Sequence, residues 1–544
     1  MTNYYTPGVY VEEISTLPPS VVEGSTAIPA FLGYTKKTEY NGTDRKLVPT
    51  RISTMLEFLQ YFGGPPTSVV SAKAKVISAT QTIFDGITDY KSSIYKLYYS
   101  LDLFFKNGGN YCYIVSLGVY SSATEFENDD FEEGLKSLEK EDEPTLIVMP
   151  DACGLSQVNY YAICQEALAQ CQRLKNRFCI LDVRPADVET ADAVEIFRDH
   201  IGAENLQYGA AYFPFLKTSI SPVVDDINIT VKGLSGTGDS GGTKKDTDKA
   251  KAAEAKAKAT AEAAATATAA AAAAAATAAA DVTPEATAAA EVAAAAAIEA
   301  TAAAVTAAAE AKAAAAATET TTGDVTLYTV KTKYTGLYSA IRNELNSPKY
   351  KVVLPASAAI AGVYASVDRD RGVWKAPANV GLNSVIEPVT KITVAEQDKL
   401  NVHADGGKSI NAIRSFTGKG IIVWGARTLA GNDNEWRYVS VRRLFNLIED
   451  SASKATFFAV FEPNDATTWL KVQSMIDSYL YSLWQQGALA GSTAKAAYFV
   501  KVGLGSTMTT QDILEGRMII EIGVAAVRPA EFIILRFSHK LQEA

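Results

Sequence analysis

Asp182, His200 and Ser357 occur in the chain order of a subtilisin-type hydrolase, in which the histidine takes the serine proton and the aspartate orients the ring. The small residues that surround such a histidine are missing around His200, which weighs against acyl transfer. Gly238-Asp239-Ser240-Gly241-Gly242 copies the nucleophile signature of trypsin-like proteases, but it lies in a low-complexity stretch with no β-barrel pattern around it. Gly406-Gly407-Lys408-Ser409 suggests a phosphate loop, yet the spacing requires glycine where Val402 stands. Cys112, Cys153, Cys164, Cys171 and Cys179 are odd in number, form no C-x-x-C pair and do not cluster with His200, His403 or His539. They read as reduced, buried small side chains of a protein folded in a reducing compartment, not as zinc ligands. The expectation is no enzyme, no metal and no cofactor.

The elements that carry these residues follow from periodicity. Ala30–Tyr34 reads as the first core strand, Ser53–Tyr61 as a helix capped by Ser53, Tyr95–Lys106 as a helix and Tyr111–Val115 as a strand. The acidic run Glu125–Glu143 reads as a solvated helix face with its flanking loops. From Thr145 strands alternate with helices: Leu146–Met149, Gln157–Lys175, Phe178–Leu181, Ala191–His200 and Ala210–Phe213. Continuous apolar strands between helices imply a parallel sheet covered on both faces. The pattern resumes with Lys351–Leu354, a small-residue helix over Ser357–Val367, and Gly420–Trp424.

Between the two halves lies an Ala-rich segment, which a helix former of that strength makes helical with little tertiary help. Thr283 and Pro284 mark a break and a new helix start, so a helical hairpin is expected with arms of about 35 residues, roughly 50 Å each. The uncharged portion around Ala263–Ala280 lacks Leu, Ile, Phe and interfacial aromatics, so a surface projection or mobile insertion is favoured over a membrane span.

Beyond Trp436 the chain reads as α+β. Val439–Asp450 is a helix, Phe457–Phe461 a strand, and Asn464 or Asp465 caps a long helix carrying Trp469, Val472, Ile476, Tyr479 and Leu483. Gly487 falls where that helix ends, and strands follow at Tyr498–Val502 and Met518–Val524. Both chain ends have strand character. Tyr4–Ile14 is extended by composition, and Phe532–Lys540 alternates Ile533, Leu535 and Phe537 with Ile534, Arg536 and Ser538. Such ends pair either with the chain's own sheets or with other copies, and spacing does not decide which.

Composition bounds the rest. At 544 residues the chain exceeds a single core and implies several domains. With 48% hydrophobic and 21% charged residues it is an ordinary globular composition, and a net charge of -10 argues against a general nucleic-acid binder. No basic region followed by an apolar run opens the chain, so no secretory leader is expected.

Tyr5-Thr6-Pro7-Gly8-Val9-Tyr10-Val11-Glu12-Glu13 and Pro529-Ala530-Glu531-Phe532-Ile533 resemble the two ends of contractile tail sheath proteins. Phe104–Gly109, Asp368–Asn379 and Val423–Leu429 resemble the same family, in the same order, so the likeness covers nearly everything except the middle. It implies a subtilisin-like core fold, so that with the patterns above the expectation is an α/β core with a split, mostly parallel sheet, an α+β C-terminal domain, terminal extended arms and an Ala-rich helical insertion that lies outside the likeness. The implied domains are an N-terminal arm (1–25), a first core part (26–232), the insertion (233–324), a second core part (325–430), a tube-proximal C-terminal domain (431–528) and a C-terminal arm (529–544).

The resemblance further implies a structural subunit that polymerises as stacked rings around an inner tube and contracts. Val9, Tyr10, Val11, Ile14, Ile533, Leu535 and Phe537 would be the inter-subunit arms, and Lys471 would be a tube contact. Partners would be further copies in a helical homopolymer, the inner tube protein, and baseplate and cap proteins, without specific nucleic acid or direct membrane insertion. Assembly would take place in a bacterial cytoplasm, as part of a phage tail or a phage-tail-like injection particle. The competing class is a non-contractile Ala-rich surface or adhesion module whose ends pair internally.

Overall fold

Pro29–Thr35 is buried at every position, as a strand covered on both faces must be. In the computed structural model it sits within a nine-stranded sheet in the order Val380–Gly381, Gly420–Trp424, Ile410–Phe416, Gly209–Phe213, Phe178–Asp182, Leu146–Val148, Pro29–Thr35, Cys112–Val119, Thr50–Ile52. The structure describes residues 21, 24–78, 81–121, 126–184, 190–234, 325–331, 333–403, 406–532 and 534, with scattered positions between 256 and 303. The central strands run parallel and the sheet is closed by antiparallel partners at both edges.

Strand alternation divides the core in two. Ala30, Leu32, Ile147, Leu181 and Ala211 pack with the helices Asn128–Leu138, Gln157–Leu174 and Thr190–His200. Phe31, Val148, Ile180 and Tyr212 pack on the other face with Met55–Phe62, Leu97–Lys106 and Ser357–Arg371. Asp151 sits at zero exposure and its carboxylate accepts the backbone N–H groups of Tyr34 at 2.8 Å and Leu97 at 3.0 Å. It thereby anchors the start of the Leu97–Lys106 helix, although burial pushes its pKa up to about 6.

The chain forms two compact units. The first holds Met1–Pro66, Ile94–Ile220 and Lys351–Ala544, and the second Thr67–Ser93 and Ser221–Tyr350. This division cuts across the expected core parts 26–232 and 325–430. The reason is a long hairpin, Val69–Ser78 with Gln81–Lys91, whose first strand runs parallel to Ile229–Lys232. Val70, Ala72, Ile229 and Val231 pack there against Leu337, Ile341 and Leu345 of the Thr335–Leu345 helix, giving the second unit its own core.

Of the Ala-rich insertion, residues 258–263 are helical and mostly exposed. Thr283, Pro284 and the expected hairpin lie outside the described residues. No described helix is long and apolar enough to cross a membrane.

Several expectations are corrected. Thr54, not Ser53, caps the first helix, accepting from the Glu57 N–H, while the Ser53 N–H is taken by the Glu57 carboxylate. Val353–Leu354 leaves the main sheet for a small antiparallel one with Leu216–Thr218 and Val385–Pro388, because Val352 exchanges backbone bonds with Thr218 and Ile220. Gly420–Trp424 runs antiparallel, as the return strand of a hairpin with Ile410–Phe416. That partner strand had no signal of its own, since buried Asn411 interrupts its apolar run.

Phe457–Phe461 is not a strand. It forms a 3-10 turn at Thr456–Ala459 that reverses the chain between the helices Val439–Ala455 and Ala466–Gln485, and Phe457 stands 75% exposed. The following helix is as expected: Asp465 caps it by accepting from Thr468 N–H at 3.0 Å, and Gly487 turns the chain at φ 80. Its face of Val472, Ile476, Tyr479 and Leu483 packs on the hairpin Tyr498–Val502 with Ile520–Val524.

Candidate assembly site at the two arm roots

Of the three residues of the hydrolase order, Asp182 and Ser357 meet, while His200 makes its contacts with Gln157, Ile196 and Tyr161. Asp182 ends its strand and its carboxylate accepts the Ser357 backbone N–H at 2.8 Å, so it anchors the N-terminus of the Ser357–Arg371 helix. Burial raises its pKa to about 7, against the bonds from Ser357 and Ala356. His200 is exposed, with Nδ1 on the Ile196 carbonyl at 2.8 Å and Nε2 beside the Gln157 amide at 3.3 Å. Around Gly406, the Lys408 ammonium donates to the Arg198 carbonyl and Ser409 Oγ to the Asn401 carbonyl, so both side chains are committed within the fold. The Gly238–Gly242 run lies outside the described residues. All five cysteines are free thiols, and burial pushes Cys164 and Cys171 up to about 12.

Unforeseen chemistry lies instead near the first and the last described residues of the chain. At the N-terminal root, the Gly24 N–H donates to Ser451 Oγ at 3.1 Å and the Thr26 carbonyl accepts from Thr145 Oγ1 at 2.8 Å. The same carbonyl accepts from Arg443 Nη2 at 2.8 Å. Arg443 also grips Asp368 through both terminal nitrogens, at 3.0 and 2.5 Å, with side chains only 3% and 5% exposed. Its guanidinium lies 4.6 Å from the Tyr364 ring centre, and Tyr364 shares a 2.8 Å hydroxyl bond with Tyr212 of the sheet. One buried cation thus ties the Val439–Ala455 helix, the Ser357–Arg371 helix and the N-terminal root together.

The C-terminal root has a matching clamp. Arg427 Nε lies 2.9 Å and 3.1 Å from the two Glu531 carboxylate oxygens, and Nη2 donates to Oε2 at 2.5 Å. Asn401 Nδ2 at 3.0 Å and the Tyr438 hydroxyl at 3.3 Å complete the carboxylate's shell. Burial acts to raise the Glu531 pKa, but Arg427, Asn401 and Tyr438 together outweigh it and hold the carboxyl below its ordinary value. Arg427 is itself fixed by Asn411, whose amide accepts from the Arg427 N–H and donates to its carbonyl, both at 2.8 Å.

Arg427, Glu531, Arg443 and Asp368 were not singled out in the sequence, although Arg427, Glu531 and Asp368 stand in motifs quoted above for their likeness and Arg443 lies within the expected Val439–Asp450 helix. For Arg427 and Glu531 the signal available was an ionisable residue inside an otherwise apolar motif, which a fold retains only when it is paired, whereas Asp368 sits in the charged run Asp368-Arg369-Asp370-Arg371. Val9, Tyr10, Val11 and Ile14, and at the other end Ile533, Leu535 and Phe537, lie outside the described residues. Lys471 is exposed on the Ala466–Gln485 helix.

Two buried arginines thus fix segments near the first and last described residues of the first unit, on an α/β frame in which Asp182 and Ser357 meet without His200. Residues 431–540 match the phage tail sheath C-terminal domain. Over 187 residues the chain is 27% identical to the tail sheath protein of Vibrio phage KVP40, covering 34% of this chain and 26% of that protein. The aligned part is thus about a quarter of that relative's length.

The likeness in structure is broader. The sheath complex of the extracellular contractile injection system PVC in its contracted state matches with a TM-score of 0.56 and 28% identity over 99% of both chains. The contracted helical sheath of the anti-feeding prophage matches equally, over 99% of this chain and 100% of that one, with a TM-score of 0.56 and 28% identity. The chain is therefore similar to contractile sheath proteins over nearly its whole length, and the match to the phage tail sheath C-terminal domain falls on residues 431–540.

Proposed function

We propose that the chain is a structural subunit of a contractile sheath. The observation that carries this reading is the full-length likeness to two contracted sheaths together with the C-terminal domain match. The clamped roots support it mechanically, because an arm that tethers a moving neighbour must be held where it leaves its own subunit. Copies stack as rings around an inner tube, with baseplate and cap proteins at the ends, after assembly in a bacterial cytoplasm. Val9, Tyr10, Val11 and Ile14 at one end, and Ile533, Leu535 and Phe537 at the other, make the strand contacts to neighbouring C-terminal domains, and the exposed Lys471 faces the tube. The core carries the subtilisin-like arrangement without its chemistry, and contraction is a rigid-body repacking that uses energy stored at assembly.

Negative-stain electron microscopy of the protein expressed alone is the test. Striated hollow tubes are expected. Dispersed globules, persisting when tube and baseplate proteins are co-expressed, would remove the reading.

A further inference from the structure

The turn Thr456–Ala459 and the two residues after it hold apolar side chains out in solvent: Phe457, Val460 and Phe461 are 75%, 55% and 104% exposed. Single exposed apolar residues mean little, but three within five positions form a protruding knuckle. Phe461 also adopts φ 69, a costly conformation for a bulky side chain, and full exposure leaves its ring no packing in its own copy to offset that cost. Glu462 and Asp465 follow, both exposed and without an ion pair among the described residues. The knuckle is thus apolar with an acidic flank.

The same unit carries a surface of the opposite kind, a cleft of about 830 Å³. Val394, Trp424 and Phe532 give it apolar walls. Arg371, Lys375 and Arg528 line it with exposed cations that form no ion pair among the described residues. Asp398 lines it as well, whereas Glu531 is taken by Arg427. None of residues 457–461 lines the cleft, so a chain does not fill it with its own knuckle. Protrusion and cavity, acid and cation, apolar side chain and apolar wall therefore complement one another between copies.

We propose that the knuckle Phe457, Val460 and Phe461 of one copy seats in this cleft of a second copy, with Glu462 meeting Arg371, Lys375 and Arg528. This rests on the sheath reading and adds to the strand contacts of the chain ends a contact made by the folded domains. Each such contact leaves one knuckle and one cleft free, so it repeats head to tail into a ring or a helix. The strained, solvated Phe461 is then the side chain that gains most from the partner, since its ring leaves water only when a second copy arrives.

The test mixes two full-length chains under mild oxidation, a donor carrying Val460→Cys and an acceptor carrying Ala376→Cys or Ala378→Cys at the cleft wall. The native thiols are mostly buried, and unsubstituted chains give the background. A disulfide joining position 460 of one chain to the cleft wall of another is expected. Its yield should fall by about tenfold or more when the donor also carries Phe457→Ser with Phe461→Asn. It should fall likewise when the acceptor carries Arg371→Glu with Lys375→Glu, and recover in part when that acceptor meets a donor with Glu462→Lys. Thermal melts of each variant show that it is folded. Absence of an adduct at both wall positions, or an adduct indifferent to the phenylalanines and to charge reversal, would overturn the proposal. Striated tubes without the adduct reject this seat and leave the sheath reading standing; the adduct without tubes does the reverse.

Discussion

At the scale of single residues, two carboxylates behave in opposite ways toward pH. The Glu531 carboxyl is held below its ordinary value of 4.5, so its pairing contributes stability above that value and loses it as pH falls through the depressed pKa. Wild type and Glu531→Gln should therefore differ in unfolding midpoint at pH 6, and the gap should close below pH 4.5. A gap unchanged down to pH 3.5 would exclude an ion pair as its source. Asp182 is raised from 3.8 to about 7 by burial, so the folded state favours its protonated form. Its contribution is present at low pH and declines as pH rises from 3.8 through 7. Asp182→Asn should gain on wild type across that window, measured by denaturant unfolding at pH 4 and 8, and a constant difference would contradict the assignment. The Arg443–Asp368 pair is almost fully enclosed, so its loss is asymmetric. Asp368→Ala strands a buried guanidinium and should cost about 3–5 kcal/mol, whereas replacing both partners with apolar residues should recover most of that. Equal losses in the single and double variants would show that packing, not charge, is at stake.

The strength of a periodic signal at the scale of elements depends on whether the element's partner is local. The helices Gln157–Leu174 and Ala466–Gln485 were legible because cap, apolar stripe and stop lie within the segment. Phe457–Phe461 misled because five mostly apolar residues read as a buried strand when nothing nearby is available to pair with them. In the structure Phe461 is fully exposed and adopts φ 69, a left-handed conformation that a bulky side chain takes only at a cost. Phe461→Asn should leave the fold unharmed and stabilise it by up to about 1 kcal/mol, because Asn tolerates that conformation. Thermal unfolding checks this, and a loss of more than that amount would mean that the phenylalanine is held in place by contacts of its own. The hairpin Val69–Lys91 escaped notice for the complementary reason. Its small residues alternate with Ser and Lys, and the strand it pairs with, Ile229–Lys232, is distant in sequence.

For the whole molecule, the doubly covered sheet was legible from continuous apolar strands alone, whereas the division into two units was not, because it depends on which distant segments pair. The arm roots show the same limit. Glu531 and Arg427 are 104 residues apart, and their meeting is a property of the folded unit. From residue 24 onward the N-terminal root is tied by Ser451, Thr145 and Arg443, and none of these bonds involves residues 1–14. Deleting Met1–Ile14 should thus leave the unfolding transition within about 0.5 kcal/mol of wild type, as for a surface change away from the core. The same deletion should abolish polymer formation, because it removes Val9, Tyr10, Val11 and Ile14, the proposed strand contacts of that end. Sedimentation would then show a folded monomer where wild type sediments as polymer. A truncated chain that still builds tubes of normal striation would mean that the copies are held by their domain surfaces, and that the clamped roots serve folding alone.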